Sequence, residues 1–264
     1  MMENESKTLY IPLYGKALVS GKGVILKDKK AEEIWAKEQF LLKRNSRSKW
    51  LAYFMAMRAA VIDRWTEEKL CQNSGCTVLH IGCGLDSRIE RVDAPFENWY
   101  DIDLPEVIAI RKKYYSENEK YRMLGASAAE TDWVSALPKT ENAVVVMEGI
   151  CMYLSGNVIC NLFAALEAHF DKVEIVADFY TSFGVKASKY KNPIKDVGAA
   201  AYFGMDDPKS AETEETKFNE ELCMTPDELI NELSGIEKAF FKKMFAGGFA
   251  KRLYKIYTYK KYNM

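Results

Sequence analysis

The chain has 264 residues, 48% of them hydrophobic, with 37 Lys and Arg against 38 Asp and Glu. That is enough apolar material for one large α/β domain with a buried core. A balanced charge with no long basic block excludes nucleic acid as the expected partner. The opening residues, MMENESKTLY, show no basic segment followed by an apolar one, and no 18 uncharged apolar residues run together, so a soluble, cytoplasmic protein with no membrane partner is expected. Oligomeric state is left open.

From the N-terminus, a short irregular start gives way to AEEIWAKEQFLLKR and RSKWLAYFMAMRAAVIDRW, whose apolar residues recur at three and four, as in amphipathic or buried helices. After residue 76 the rhythm changes. TVLHI is followed by IERV, WYDID by PEVIAIRKKYY, AVVVM by GNVICNLFAALEAHF, and then comes VEIVADFY. Short β-branched runs alternating with helical stretches predict a parallel sheet with crossover helices. Residues 184–224, including DDPKSAETEET, break the pattern and read as an insertion or lid. TPDELINEL is expected to be a helix with Thr225 as N-cap, Pro226 in its first turn and Glu228 at N3. KAFFKKMFA and KRLYKIYTYKKY then read as two antiparallel strands closing the sheet. The expected organisation is a single domain over 1–264, with a helical cap at 1–75 and the insertion at 184–224.

Six cysteines (Cys71, Cys76, Cys83, Cys151, Cys160, Cys223) form no C-x-x-C pair, and only His80 and His169 accompany them. They fit neither a zinc site nor a disulfide framework, so packed, reduced thiols and no metal are expected.

The stretch CTVLHIGCGLDSRIERVD carries the clearest chemistry. It ends a strand and opens a helix, the place where α/β sheets bind ligands. Gly82 and Gly84 permit a tight turn and close approach, with backbone N–H groups and the next helix start as donors for a polar or anionic cofactor. A dinucleotide fingerprint would need a third glycine at position 87, which is Ser87, and a P-loop would need Gly-Lys-Ser/Thr, which is absent. Asp101 and Asp103 stand about 20 residues beyond the glycines, as a ribose-binding carboxylate would. A nucleoside cofactor without a pyrophosphate fits best.

Four segments in this order and spacing, MAMRAAVID, VLHIGCGLDSR, YDIDLPEV and VVVMEGICMYL, resemble the leucine carboxyl methyltransferase family, in particular its bacterial O-methyltransferases of the tetracenomycin polyketide type. IPLYGKALVSGKGVILKDKKAEEI is also typical of that branch. The resemblance implies an α/β class I (Rossmann-like) methyltransferase fold, with a seven-stranded, mostly parallel sheet, helices on both faces, an N-terminal helical extension and an insertion before the last strands. It implies S-adenosyl-L-methionine as cofactor, S-adenosyl-L-homocysteine as product, and a small-molecule acceptor.

Residue by residue, the resemblance puts Arg58 at the cofactor's methionine carboxylate, which a guanidinium fork suits. The competing reading is a solvated surface arginine. Gly82 and Gly84 would approach the methionine part, and Glu148 its ammonium. Asp103 would take the ribose hydroxyls, with Asp101 as substitute, the two being read as pointing to opposite faces. Ser127 and Ala128 would lie near the adenine. Ser127 stands where many relatives have an Asp, and Asp132 is a replacement for that contact. Asp86 is a further cofactor neighbour; it and Arg88 could equally brace the loop. Lys16 aligns loosely with a cofactor-contacting lysine but reads rather as a surface residue.

No convincing general base is visible. His80 lies inside a strand and His169 ends a helix, so neither suits proton abstraction. Tyr153 is the candidate catalytic residue, orienting an acceptor oxygen. Phe183, Tyr190, Tyr202 and Phe203 could wall an apolar substrate. The expected function is O-methyl transfer to a carboxylate or hydroxyl. The alternatives are a non-catalytic cofactor-binding or scaffold protein and an NAD(P)-dependent oxidoreductase.

Overall fold

A computed structural model describes residues 6–38, 40–42, 45–188 and 200–261. Among them, strands β1 (Cys76–Ile81), β2 (Asn98–Asp103), β3 (Tyr121–Gly125), β4 (Asn142–Met147), β5 (Lys172–Tyr180), β6 (Thr216–Leu222) and β7 (Tyr254–Lys261) form one sheet in the order β3-β2-β1-β4-β5-β7-β6. The first five run parallel, and β7 is antiparallel to both β5 and β6. Every residue of β1 and β4 is buried, as parallel strands covered on both faces require. Val78, Val144, Val146 and Val176 turn to one apolar cluster, while Leu79, Ile81, Val145, Met147 and Ile175 turn to the other. The alternation of adjacent strand residues thus divides the core into two layers.

The helices before β1 form a cap on the first layer. α1 (Tyr10–Lys22) occupies much of the supposedly irregular start and ends on Gly23 at φ 71°, the left-handed conformation glycine adopts without penalty. The long α3 (Lys49–Gln72) contains most of the second helical stretch read from spacing, whereas α2 (Lys29–Glu38) covers only the first part of AEEIWAKEQFLLKR, since residues 40–42 are not helical. Between strands lie α4 (Arg88–Arg91), α5 (Pro105–Arg111), α6 (Asp132–Ser135) and α7 (Gly156–His169); Ile159, Leu162, Phe163 and Leu166 of α7 fill the second layer.

The C-terminal part departs from expectation. The strand beside β7 is TKFNEEL, inside the stretch read as an insertion, whereas KAFFKKMFA lies in helix α10 (Gly235–Phe245). Between α8 (Ser182–Ser188) and β6, Met205 N–H donates to Tyr180 O, joining the chain to the end of β5. α9 (Asp227–Asn231) forms as expected, but Pro226, at ψ 149°, is its N-cap and no side chain caps it. The short α11 (Gly248–Lys251) leads into β7. All six cysteines are free; Cys76, Cys83 and Cys151 are buried, while Cys71 and Cys223 are exposed. Among the described residues no cluster has metal-ligating composition, and no helix is long and apolar enough to cross a membrane.

Candidate active site

A cavity of about 420 Å³ opens at the carboxyl ends of β1, β2 and β4, large enough for a small-molecule ligand. Its lining includes Lys16, Arg58, Gly82, Gly84, Asp86, Asp103, Ser127, Ala128, Glu148 and Tyr153. The structure therefore brings together residues spread over nearly 140 positions of the chain.

The turn after β1 is shaped by crowding. Gly82 has φ 72°, and a Cβ there would sit 2.0 Å from Ile150 Cγ2; Gly84 has φ 51°. Both are conformations in which a side chain is strained. The turn's amides are not the free donors that the sequence suggested. Gly82 N–H and Cys83 N–H donate to Ile102 O at 2.7 and 3.2 Å, and Gly84 N–H to Asp103 Oδ2 at 2.7 Å. The loop is tied to β2, because buried backbone donors are satisfied within the fold.

Asp101 and Asp103 stand two positions apart, so strand alternation puts them on the same face rather than on opposite faces. Depth separates them. Asp101 is fully buried and accepts from Arg111, Tyr121, Trp99 Nε1 and the His80 ring. Burial opposes its charge, yet Arg111 with His80 and Tyr121 holds it at about pKa 2. Asp103 lies at the strand's end on the cavity, where it accepts from Gly84 N–H and from Leu104 N–H at 2.8 Å. Burial raises it to about 6 against the pull of those two amides. Each of its oxygens retains acceptor capacity.

Below the turn lies a buried ion network. Arg58 on α3 is 3% exposed, which removes the surface-charge reading. It meets Glu148 and Asp178 at 2.9 Å each and donates to Tyr254 OH at 3.1 Å, leaving its Nε without a hydrogen-bond partner among the described residues. Glu148 also bonds Arg88 and lies 3.5 Å from Lys16. Burial disfavours the Glu148 carboxylate, but Lys16, Arg58 and Arg88 outweigh it and hold the group well below the usual range. Asp178 goes the other way; burial raises it despite Arg58. Asp86 meets Arg91 at 2.7 Å, Lys16 at 2.9 Å and Arg88 at 3.3 Å. Burial is offset by these cations, and Asp86 stays well below its ordinary value.

Lys16 is thus a correction: it is 2% exposed and lines the cavity, because α1 lies across the carboxyl ends of the strands. Asp132 is exposed at the start of α6 and does not line the cavity. Ser127 and Ala128 do; Ser127 Oγ accepts from Ala129 N–H at 3.1 Å. Phe183, Tyr202 and Phe203 do not line the cavity either, although Tyr202 and Phe203 N–H groups bond the carbonyl of cavity residue Met152. Tyr190 lies outside the described residues. His80 is buried between Asp101 and Arg88, and burial lowers its pKa despite Asp101, so it is neutral at neutral pH.

Sequence reasoning missed Asp178, Tyr254 and the roof formed by Leu9, Pro12, Leu51 and Met55. Asp178 had a usable signal, a carboxylate near the end of the largely apolar strand VEIVADFY, which burial makes costly unless a cation is near. Tyr254 and the roof had none beyond ordinary apolar spacing.

The model of the leucine carboxyl methyltransferase family matches residues 2–167. The chain is 29% identical over 217 residues to the tetracenomycin polyketide synthesis O-methyltransferase TcmP of Streptomyces glaucescens, covering 81% of this chain and 80% of that protein. It is 27% identical over 183 residues to the S-adenosyl-L-methionine-dependent methyltransferase dpfgK of Gibberella zeae, covering 64% and 61%. Among solved structures, a candidate methyltransferase from Thermobifida fusca YX aligns with a TM-score of 0.60 at 12% identity over 94% of both chains. The magnesium protoporphyrin IX methyltransferase of Synechocystis PCC 6803, solved with S-adenosylmethionine bound, aligns at 0.52 with 8% identity over 99% of both. The chain belongs to the leucine carboxyl methyltransferase family, S-adenosylmethionine-dependent enzymes of the class I methyltransferase fold.

Proposed function

We propose that the cavity transfers the methyl group of S-adenosylmethionine to an oxygen of a small acceptor, preferably a carboxylate on an apolar, polyketide-like body. The observation that carries this reading is the cavity's mixed lining, in which the charged Lys16, Arg58, Asp86, Glu148 and Asp103, which we call its floor, stand with the apolar Leu9, Pro12, Leu51 and Met55, which we call its roof. A zwitterionic amino-acid end and a ribose diol suit such a floor, and Arg58 Nε supplies a donor that nothing among the described residues uses.

On this reading Arg58 Nε faces the methionine carboxylate, Glu148 the ammonium and Asp103 the ribose diol, while Ser127 and Ala128 border the adenine. Gly82 and Gly84 leave room for the chain between them. Asp86 acts through Lys16 and Arg91 as a positioning residue. When bound, S-adenosylmethionine supplies a methyl group already activated by the sulfonium, so the acceptor oxygen needs position and charge more than activation. A carboxylate arrives ionised and needs no base, which matches a cavity whose histidine is held neutral between partners. Tyr153, half-buried on the loop after β4, orients that oxygen. Residues 1–75 serve as the cap over the cofactor within a single domain, and the chain before β6 flanks the acceptor side through Met152.

A dinucleotide reading meets a physical obstacle at α4. Where a pyrophosphate would sit on the helix start, Ser87 Oγ donates to Asp28 at 2.5 Å, and Arg88 is tied to Asp63, Asp86 and Glu148. The side chains at that helix start are already engaged with one another, so a pyrophosphate would have to displace existing ion pairs.

Calorimetric titration with S-adenosylmethionine, S-adenosylhomocysteine and NAD tests the cofactor, and turnover of small carboxylic acids and phenols tests the reaction. Binding of the first two and methylation of a carboxylic acid are expected. NAD binding would support the oxidoreductase reading, and tight cofactor binding without turnover of any acceptor the scaffold reading.

A further inference from the structure

The near-neutral chain has local basic stretches, and one of them coincides with exposed apolar side chains. Residues 235–252 carry Lys238, Lys242, Lys243, Lys251 and Arg252 against a single carboxylate, Glu237. Glu237 is engaged by Lys49 and Tyr53, both at 2.7 Å, and among the described residues Lys242 is the one of these cations paired with an outside carboxylate, Asp227, at 2.8 Å. The same stretch exposes apolar side chains. Ile236, Phe240 and Met244 recur every fourth residue of α10 and are 89%, 42% and 52% exposed; Phe249 on α11 is 62% exposed. This is not the helix's core face, since Phe241 is fully buried and packs on Tyr53 at 6.2 Å. Lys243, seven residues after Ile236 and three after Phe240, stands among the exposed apolar residues.

We propose that the α10–α11 surface docks on an anionic lipid surface, with Ile236, Phe240, Met244 and Phe249 entering the headgroup–acyl boundary and the flanking Lys and Arg side chains meeting lipid phosphates. Exposed apolar and basic residues close in sequence on α10 and α11 have the composition of segments that lie in that boundary. A two-fold contact between copies of this chain would set the same excess of cations face to face, so self-association is disfavoured. Phe240 and Phe249 each keep an exposed side while resting on Trp50 at 4.5 Å and Phe183 at 5.8 Å, and none of the four lines a cavity found in the fold. Position adds a consequence. Trp50 on α3 supports Phe240 at 4.5 Å, while Leu51 and Met55 of the same helix line the cavity. The docked face is therefore one helix away from the acceptor side, where a lipophilic acceptor would enter.

The inference stands apart from the methyl-transfer reading, and its test measures binding alone. The full chain is cosedimented with vesicles of phosphatidylcholine and with vesicles containing about a third phosphatidylglycerol. At least tenfold stronger binding to the anionic vesicles is expected, weakening in high salt. Lys243→Gln with Lys251→Gln, and separately Met244→Ser with Phe249→Ser, should each lower it about tenfold while leaving thermal stability and S-adenosylhomocysteine affinity unchanged. Absence of vesicle binding, or binding unaffected by either double substitution, would overturn the proposal. So would equal binding of polyglutamate, which would assign the face to an acidic protein, or a sedimenting dimer that Phe249→Ser disperses.

Discussion

The charged floor and the apolar roof of the cavity solve opposite problems within one pocket. The floor buries Lys16, Arg58, Asp86 and Glu148 in ion pairs with one another and with Arg88, Arg91 and Asp178, so that most of its charges are tolerated because a partner offsets them. Asp86, Glu148 and Asp101 are all held below their ordinary range by guanidinium or ammonium partners. The roof is Leu9, Pro12, Leu51 and Met55, side chains whose contribution is apolar area and shape alone. The contrast teaches that the two substrates are recognised by different physics. Floor contacts are mutually dependent and sensitive to single deletions, whereas roof contacts are graded and replaceable.

The largest expected effect breaks the floor. Glu148→Ala would leave Lys16, Arg58 and Arg88 facing one another in a buried space, and removing one partner of such a set typically costs about 3–5 kcal/mol. A corresponding fall in the denaturant midpoint is expected. Met55→Ala, on the roof, should change that midpoint far less. Equal losses would erase the distinction between the two surfaces.

Next in size is the cofactor. Arg58→Ala should weaken S-adenosylhomocysteine by about 2 kcal/mol, or roughly thirtyfold, because a charge-assisted hydrogen bond is lost. Unchanged affinity in calorimetry would confine Arg58 to its ties with Glu148, Asp178 and Tyr254.

The two aspartates of β2 give a sharper version of the same comparison. Asp103, raised to about 6 by burial, is the group that the diol would need ionised. Cofactor affinity should be level above neutrality and fall below about pH 6, approaching tenfold per pH unit if only the carboxylate binds; Asp103→Asn should bind weakly at all pH values. Asp101 has the reverse sign. Its folded value of about 2 lies below the ordinary 3.8, so it contributes roughly 2 kcal/mol of stability above pH 4 that is lost as pH falls toward 2. Asp101→Asn should thus lower stability with little direct effect on the pH dependence of binding. An exchange of these behaviours would move the ribose contact to Asp101.

What could be read beforehand follows from where each element sits. The parallel strands were legible because burial on both faces writes itself as unbroken β-branched runs, and the site residues at their ends came with them, Asp103 and Glu148 among them. Lys16 was not legible: a buried lysine and an exposed one are the same letter, and only the passage of α1 over the strand ends distinguishes them. β6 escaped because an edge strand with polar residues resembles a loop. α10 was mistaken for a strand because a helix with apolar residues on two faces loses its single-stripe period. Those two faces have different causes, one packing on Tyr53 and the other left exposed.

The smallest expected effect concerns Tyr153. If the acceptor is a carboxylate, no proton is removed in the methyl-transfer step, and Tyr153 contributes only orientation of the oxygen. With cofactor saturating, which keeps Asp103 ionised through its ligand, kcat/KM for the acceptor should be flat from about pH 6 to 8. Tyr153→Phe should lower kcat/KM less than about tenfold, the scale of one hydrogen bond, and leave the profile flat. Met55→Ala supplies the comparison, raising KM with kcat and cofactor affinity nearly unchanged, because the roof binds ground state and transition state alike. A phenol as the only accepted class, with a rate that climbs with pH and loses that climb in Tyr153→Phe, would instead make Tyr153 part of the proton path. The roof would then hold an un-ionised hydroxyl, and the division between a charged floor and a purely shape-selective roof would no longer stand.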